Sequence, residues 1–177
     1  MIPMRPREVL GALIDEKVDF VLIGGLATMI HGGTRVTRDI DIAHATHRGN
    51  LERLCRALNR FEPRRIVFGE PTGRVMKLTP ELLKRNGVIQ LATTAGEVDL
   101  LDKIEGFASY SYVKTLSEIQ KLGVPVPVLS AEGLIKTKRA MNRPKDIQDI
   151  AELQAIQEAR ELTAERGASF RLRGPGF

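Results

Sequence analysis

The sequence predicts an α+β fold: a small mixed β-sheet flanked by helices, with a helical C-terminal region. Three observations lead there. Short apolar runs closed by glycine, such as residues 19–23 (DFVLI) before Gly24 and Gly25, read as buried strands entering tight turns. Later strands pair through short turns rather than helices, which favours α+β over a strictly alternating, doubly wound sheet. The last third of the chain keeps its apolar residues at helical spacing.

In chain order, residues 7–17 form a helix with Val9, Leu10, Leu13 and Ile14 on one side. Strand 19–23 follows, then a short helix over 26–30 closed by His31, Gly32 and Gly33. Residues 38–43 (RDIDIA) alternate polar and apolar, the pattern of a half-buried strand. Asn50 is the expected N-cap of a helix whose Leu51, Leu54, Cys55 and Leu58 share one face. Thr79 caps another short helix with Pro80 in its first turn, ended by Asn86 and Gly87. Strands 88–92 and 98–101 pair across residues 93–97. A second hairpin turns at Leu122 and Gly123 and returns along 124–129. There Pro125 and Pro127 each lack a backbone donor, which assigns that strand to an edge. Ser130 caps a helix to about Met141, Pro144 interrupts it, and residues 146–160 make the last helix. Residues 1–129 are thus the expected α/β core, 130–162 a helical region packing a basic block on it, and 163–177 a flexible tail.

The 177 residues suffice for one core; 42% are apolar and 28% charged, the mix of a soluble globular protein. Aromatics make up only 5% and Trp is absent, so broad base-stacking platforms are not expected. With 27 basic against 22 acidic residues, the charge eases approach to phosphate-bearing partners. A single cysteine, Cys55, excludes an internal disulfide and a multi-cysteine zinc site, and its spacing makes it a core residue. No signal-like apolar block opens the chain and no run approaches a membrane span, so a cytoplasmic protein with no membrane partner is expected.

The chemistry concentrates between Val21 and Ala43. Strand alternation puts Asp39 and Asp41 on one face and Ile40 and Ile42 on the other. Two adjacent carboxylates repel unless a cation neutralises them, and an all-oxygen donor set suits Mg²⁺ with substrate phosphate as co-ligand. Upstream, Gly24 and Gly25 end a strand and open a helix, where bare backbone N–H groups can approach a phosphate. Arg35, in the intervening loop, is a better phosphate contact than Arg38, and Thr37 is placed to orient an Asp carboxylate. His31 is expected at a helix end, and His44 and His47 in a loop past the Asp strand.

Gly24-Gly25, thirteen intervening residues, then Asp39-Ile40-Asp41 resembles the mark of the nucleotidyltransferase superfamily related to DNA polymerase beta. The gap is towards the long end of that pattern, and Gly25 replaces the commoner Ser. The likeness is closer to bacterial minimal nucleotidyltransferases, including AbiEii-like toxins of toxin–antitoxin pairs. Residues 129–149 resemble their Lys-x4-Arg-x-Lys-Asp block at Lys138, Arg143, Lys145 and Asp146, with five basic residues and no acid between Gly133 and Lys145. The resemblance implies a third carboxylate on a later strand, matched by Asp99, with Glu97 and Asp102 as runners-up. It implies Asp39, Asp41 and Asp99 as metal-binding and catalytic residues at a two-metal Mg²⁺ site. Gly24, Gly25, Arg35, Thr37, Lys138 and Arg143 would bind the nucleoside triphosphate (NTP), with Asp99 as candidate general base. The implied activity moves a nucleoside monophosphate to an acceptor, with RNA or tRNA favoured and an antitoxin as a candidate partner. Transfer to a small aminoglycoside-type molecule and a non-catalytic nucleotide-binding role stay open.

Overall fold

The computed structural model describes residues 4–84 and 87–172, with side chains as far as residue 164. Helix α1 (Pro6–Asp15) starts with proline at its first position, where the missing N–H costs nothing. Strand β1 (Phe20–Ile23), buried along its whole length, runs directly into helix α2 (Gly24–His31), which Gly32 ends in the left-handed conformation. Strand β2 (Asp39–His44) leads to helix α3 (Arg48–Asn59). The hairpin β3 (Arg64–Val67) and β4 (Glu70–Pro71) comes next, then the one-turn helix α4 (Pro80–Leu83), capped by Thr79 as expected. The pair β5 (Val88–Thr93) and β6 (Gly96–Leu101) matches the first expected hairpin. Helix α5 (Tyr110–Thr115) precedes β7 (Ser117–Lys121) and β8 (Pro125–Leu129). Helices α6 (Ala131–Met141) and α7 (Pro144–Leu172) complete the chain.

The eight strands form one mixed sheet in the order β4-β3-β5-β6-β2-β1-β8-β7. Strands β2 and β6 are parallel neighbours at its centre; β1 pairs antiparallel with β2, and β5 antiparallel with β6. Helix α1 packs on α3, and α6 on α7. The core joins Val9, Leu10 and Leu13 to Leu51, Leu54 and Leu58 and to the inward residues Ile40, Ile42, Val98 and Leu100. Burial of large apolar side chains of this kind contributes about 1.5–3 kcal/mol each.

Several expectations are corrected. Strand β8 is interior, between β1 and β7, not an edge. The Ser130 N–H bonds the Leu116 carbonyl, so even-numbered residues of β8 face β7 and the missing donors of Pro125 and Pro127 face β1. On that side the parallel register is recorded only at Leu22 with Val128, beyond both prolines, so neither removes a needed bond. The N-cap of α3 is His47, whose side chain accepts from the Asn50 N–H. Asn50 is buried and ties loops together, donating to the carbonyls of Asp19 and Ala45 and accepting from the Asp19 N–H. His44 is the buried last residue of β2 rather than a loop residue. Helix α7 runs on to Leu172, past the expected end at residue 160, over a stretch rich in helix-forming Ala, Glu and Arg. Asn86, the expected stop of α4, lies outside the described residues.

Candidate active site

Parallel pairing of β2 with β6 brings the acids together. Asp41 is the register partner of Asp99, and Asp39 that of Glu97. One carboxylate oxygen from each of Asp39, Asp41 and Asp99 lies within 4.8 Å of the other two. Gln90, the partner of Asp99 on β5, donates from Nε2 to Asp99 Oδ2 at 3.0 Å. The sequence reading did not single out Gln90, although its place in the alternation of VIQLA puts it on the face of the acids.

The two glycines are explained by this cluster rather than by an open cradle. Gly24 has φ +68°, and a Cβ there would lie 1.8 Å from Asp41 Oδ2, so only glycine fits. The Gly25 N–H, expected to face phosphate, is directed at Asp41 Oδ2 at 3.3 Å. A Cβ on Gly25 would lie 2.6 Å from Thr37 Oγ1, so the Thr37 side chain fills the space a serine would need. That hydroxyl donates to Asp39 Oδ1, the orienting role expected of Thr37.

Burial pushes the Asp41 carboxyl up to about 7, reinforced by the charges of Asp39 and Asp99 and opposed by the Gly25 N–H and Arg143. Burial also raises Asp99, with Asp39 and Glu97 adding to the effect and Gln90 opposing it. The cluster therefore carries an electrostatic cost that a cation would relieve. Three carboxylates and no nitrogen or sulfur donor fit a hard divalent ion.

The acids line a cleft of about 540 Å³ whose other wall is basic. Arg143 reaches it from the α6–α7 junction, held by Asp146 through Nε at 2.7 Å and Nη2 at 3.0 Å, with two-fifths of its side chain exposed. Arg35 also lines the cleft, but its guanidinium forks onto Asp149 at 2.8 and 2.7 Å. Arg38, Lys103 and Lys145 line it too and are exposed.

Lys138 departs most from expectation. It is almost fully buried, its Nζ 2.6 Å from Asp149 Oδ2 and 3.7 Å from Asp146 Oδ1. The expected single basic surface is divided by helical rotation. Lys138 points inward to the two aspartates, while Lys136 lies 4.9 and 4.7 Å over the rings of Phe107 and Tyr112. Asp149 was missed by the sequence reading; its carboxyl is held down to about 2, first by Arg35 and then by Lys138 against the opposing effect of burial. The three-residue spacing of Asp146 and Asp149, which puts both on one face of α7, was the available signal.

A family model described as "Nucleotidyltransferase of unknown function (DUF6036)" matches residues 8–160. Among solved structures, ANT(2″)-Ia in complex with adenylyl-2″-tobramycin matches with a TM-score of 0.57, at 19% identity over 95% of each chain. The solution structure of the antibiotic-resistance factor ANT(2″)-Ia gives 0.54 at 15% identity, over 94% of this chain and 92% of that one. The Thermotoga maritima protein TM1012 gives 0.49 at 18% identity, over 93% and 96%. At these identities the likeness is one of fold. Comparison with curated proteins finds no match.

Proposed function

The chain belongs to the DUF6036 family of nucleotidyltransferases, and from that premise we propose that it moves a nucleoside monophosphate from an NTP to a hydroxyl of RNA, with Asp39, Asp41 and Asp99 as its metal-binding acids. The observation that carries this reading is the convergence of three carboxylates within 4.8 Å in a cleft whose opposite wall is basic. In this reading the division expected from the sequence, 1–129 and 130–162, separates a core bearing the acids from a helical wall facing them.

Asp39, Asp41 and Asp99 hold divalent metal, with Mg²⁺ the best match to an all-carboxylate set. A metal held by these three carboxylates would supply Lewis acidity and charge neutralisation for the transferred phosphate. Thr37 fixes the rotamer of Asp39, and Gln90 that of Asp99. Asp99 takes the proton of the acceptor hydroxyl as its oxygen bonds the α-phosphorus and the bond to the bridging oxygen breaks. Arg143, with its open edge, and the exposed Lys145 stabilise charge on the phosphates. Arg35 acts from its clamp on Asp149, and Lys138 acts through the same carboxylate rather than on substrate.

The fold likeness to ANT(2″)-Ia supports a second reading, in which the acceptor is a small aminoglycoside-type molecule. Arg38, Lys103 and Lys145, exposed around the cleft and outnumbering Glu105 once metal occupies the three aspartates, oppose a polycationic acceptor and favour a polyanionic one. The absence of a helix long and apolar enough to cross a membrane among the described residues agrees with work in the cytoplasm, where NTPs are made.

Incubation with each α-³²P-labelled NTP, Mg²⁺ and bacterial RNA, beside an Asp39→Ala/Asp41→Ala double variant, tests the reading. Label enters RNA with the wild type alone if it holds. Label entering a small molecule but not RNA selects the second reading. The AbiEii-like resemblance extends the proposal to a toxin neutralised by an antitoxin: expression slows growth and Asp41→Ala abolishes the effect. Equal growth of the two strains removes that extension.

A further inference from the structure

The β3–β4 hairpin has a composition that neither the core nor the acid cluster uses. Its two-residue turn, Phe68-Gly69, has φ +52° and +84°, the geometry of a type I′ turn. Asn-Gly makes this turn with little strain, whereas a bulky aromatic in the left-handed region is strained. The Phe68 ring is also fully exposed, so it forfeits burial as well. Along the hairpin and the segment that follows it, Arg64, Arg65, Arg74 and Lys77 are exposed, and among the described residues none of them makes an ion pair. Glu70 is the one acid between Arg64 and Lys77.

The register connects this hairpin to the acids. Arg64 pairs with Ala92, Ala92 with Glu97, and Glu97 with Asp39. Residues directly opposite share a sheet face, so Arg64 and Asp39 stand on one face, three strand spacings or about 14 Å apart. Gln90 and Glu97, between them, are exposed, which leaves an open floor from the acids to the hairpin.

We propose that the β3–β4 hairpin docks the acceptor, a single-stranded RNA segment, with Phe68 stacking one base and Arg64 and Arg74 on phosphates while the terminal hydroxyl reaches Asp99. This rests on the RNA-acceptor reading above and adds where the strand is held. Charge selects the occupant: four cations to one acid match a polyanion, and one exposed ring suits sequence-tolerant stacking. The low aromatic content is consistent with a single ring rather than a platform.

The test is equilibrium binding of a short fluorescein-labelled single-stranded RNA to the full chain, by anisotropy over a salt series, alongside the RNA-labelling assay. Phe68→Ala weakens binding about ten-fold, the loss of one stacked base. Arg64→Ala/Arg74→Ala flattens the slope of log Kd against log salt by roughly 0.7 per arginine. All these side chains are exposed, and melting curves matching the wild type check that the variants fold. Hairpin-dependent binding without labelling of RNA leaves the dock standing and overturns the transfer reading. Labelling of RNA with an affinity indifferent to the substitutions overturns the dock and leaves transfer standing, with the hairpin then a surface for a protein partner.

Discussion

At the scale of single residues, the acid cluster sets function against stability. Asp41, with its carboxyl raised to about 7 from an ordinary 3.8, keeps its proton in the folded chain after the unfolded chain has released it. Between about pH 4 and about pH 7 the folded state therefore binds more protons, and raising the pH through that window favours unfolding. Asp99, raised in the same direction by burial, adds to the slope. The melting temperature in EDTA is expected to fall as the pH rises from 4 to 7 and then level off. Mg²⁺, which competes with the proton for these oxygens, is expected to stabilise the chain more at pH 8 than at pH 5. Asp41→Asn removes the charge but not the shape, so it raises the metal-free melting temperature at pH 8 and removes most of the Mg²⁺ response. A variant no more stable than the wild type at pH 8, or one still stabilised fully by Mg²⁺, contradicts this account.

At the scale of elements, the acids were legible because strand periodicity is local: the alternation of RDIDIA put Asp39 and Asp41 on one face. Asp99 needed the resemblance, since nothing within β6 states that it lies beside β2. What local pattern could not carry was partnership between distant elements. Pro125 and Pro127 suggested an edge because a sequence does not reveal which side of a strand its absent donors face. Lys138 read as part of a cationic surface because the partners that bury it, Asp146 and Asp149, lie on the following helix. That cluster joins α6, α7 and the loop bearing Arg35, so it locks the basic wall against the acid-bearing sheet. Asp149→Ala leaves the Lys138 ammonium buried without its nearest counter-charge and releases Arg35. The expected loss is about 3–5 kcal/mol in urea unfolding, the cost of breaking a buried pair on one side. Asp149→Asn keeps the shape and one acceptor and costs less. A loss under about 1 kcal/mol for Asp149→Ala would mean that the network is solvated and holds nothing in place.

At the scale of the whole molecule, the formal charge of +5 bears on which acceptor the cleft can take. Arg38, Lys103 and Lys145 line the cleft and are exposed, while Arg64 stands at the far end of the same open sheet face. Such a field draws in a polyanion and repels a polycation, and added salt screens both effects. The sign of the salt dependence therefore separates the two acceptor classes without knowledge of the acceptor itself. For RNA, kcat/KM is expected to fall with salt at saturating NTP, with a log–log slope near 0.7 for each phosphate engaged. For a tobramycin-like polycation the same field slows encounter, so kcat/KM would rise with salt until the Debye length shrinks below the width of the cleft. A flat response to salt with RNA would mean that the basic side chains serve the triphosphate alone, and the acceptor would then have to be a small neutral molecule bound close to Asp99.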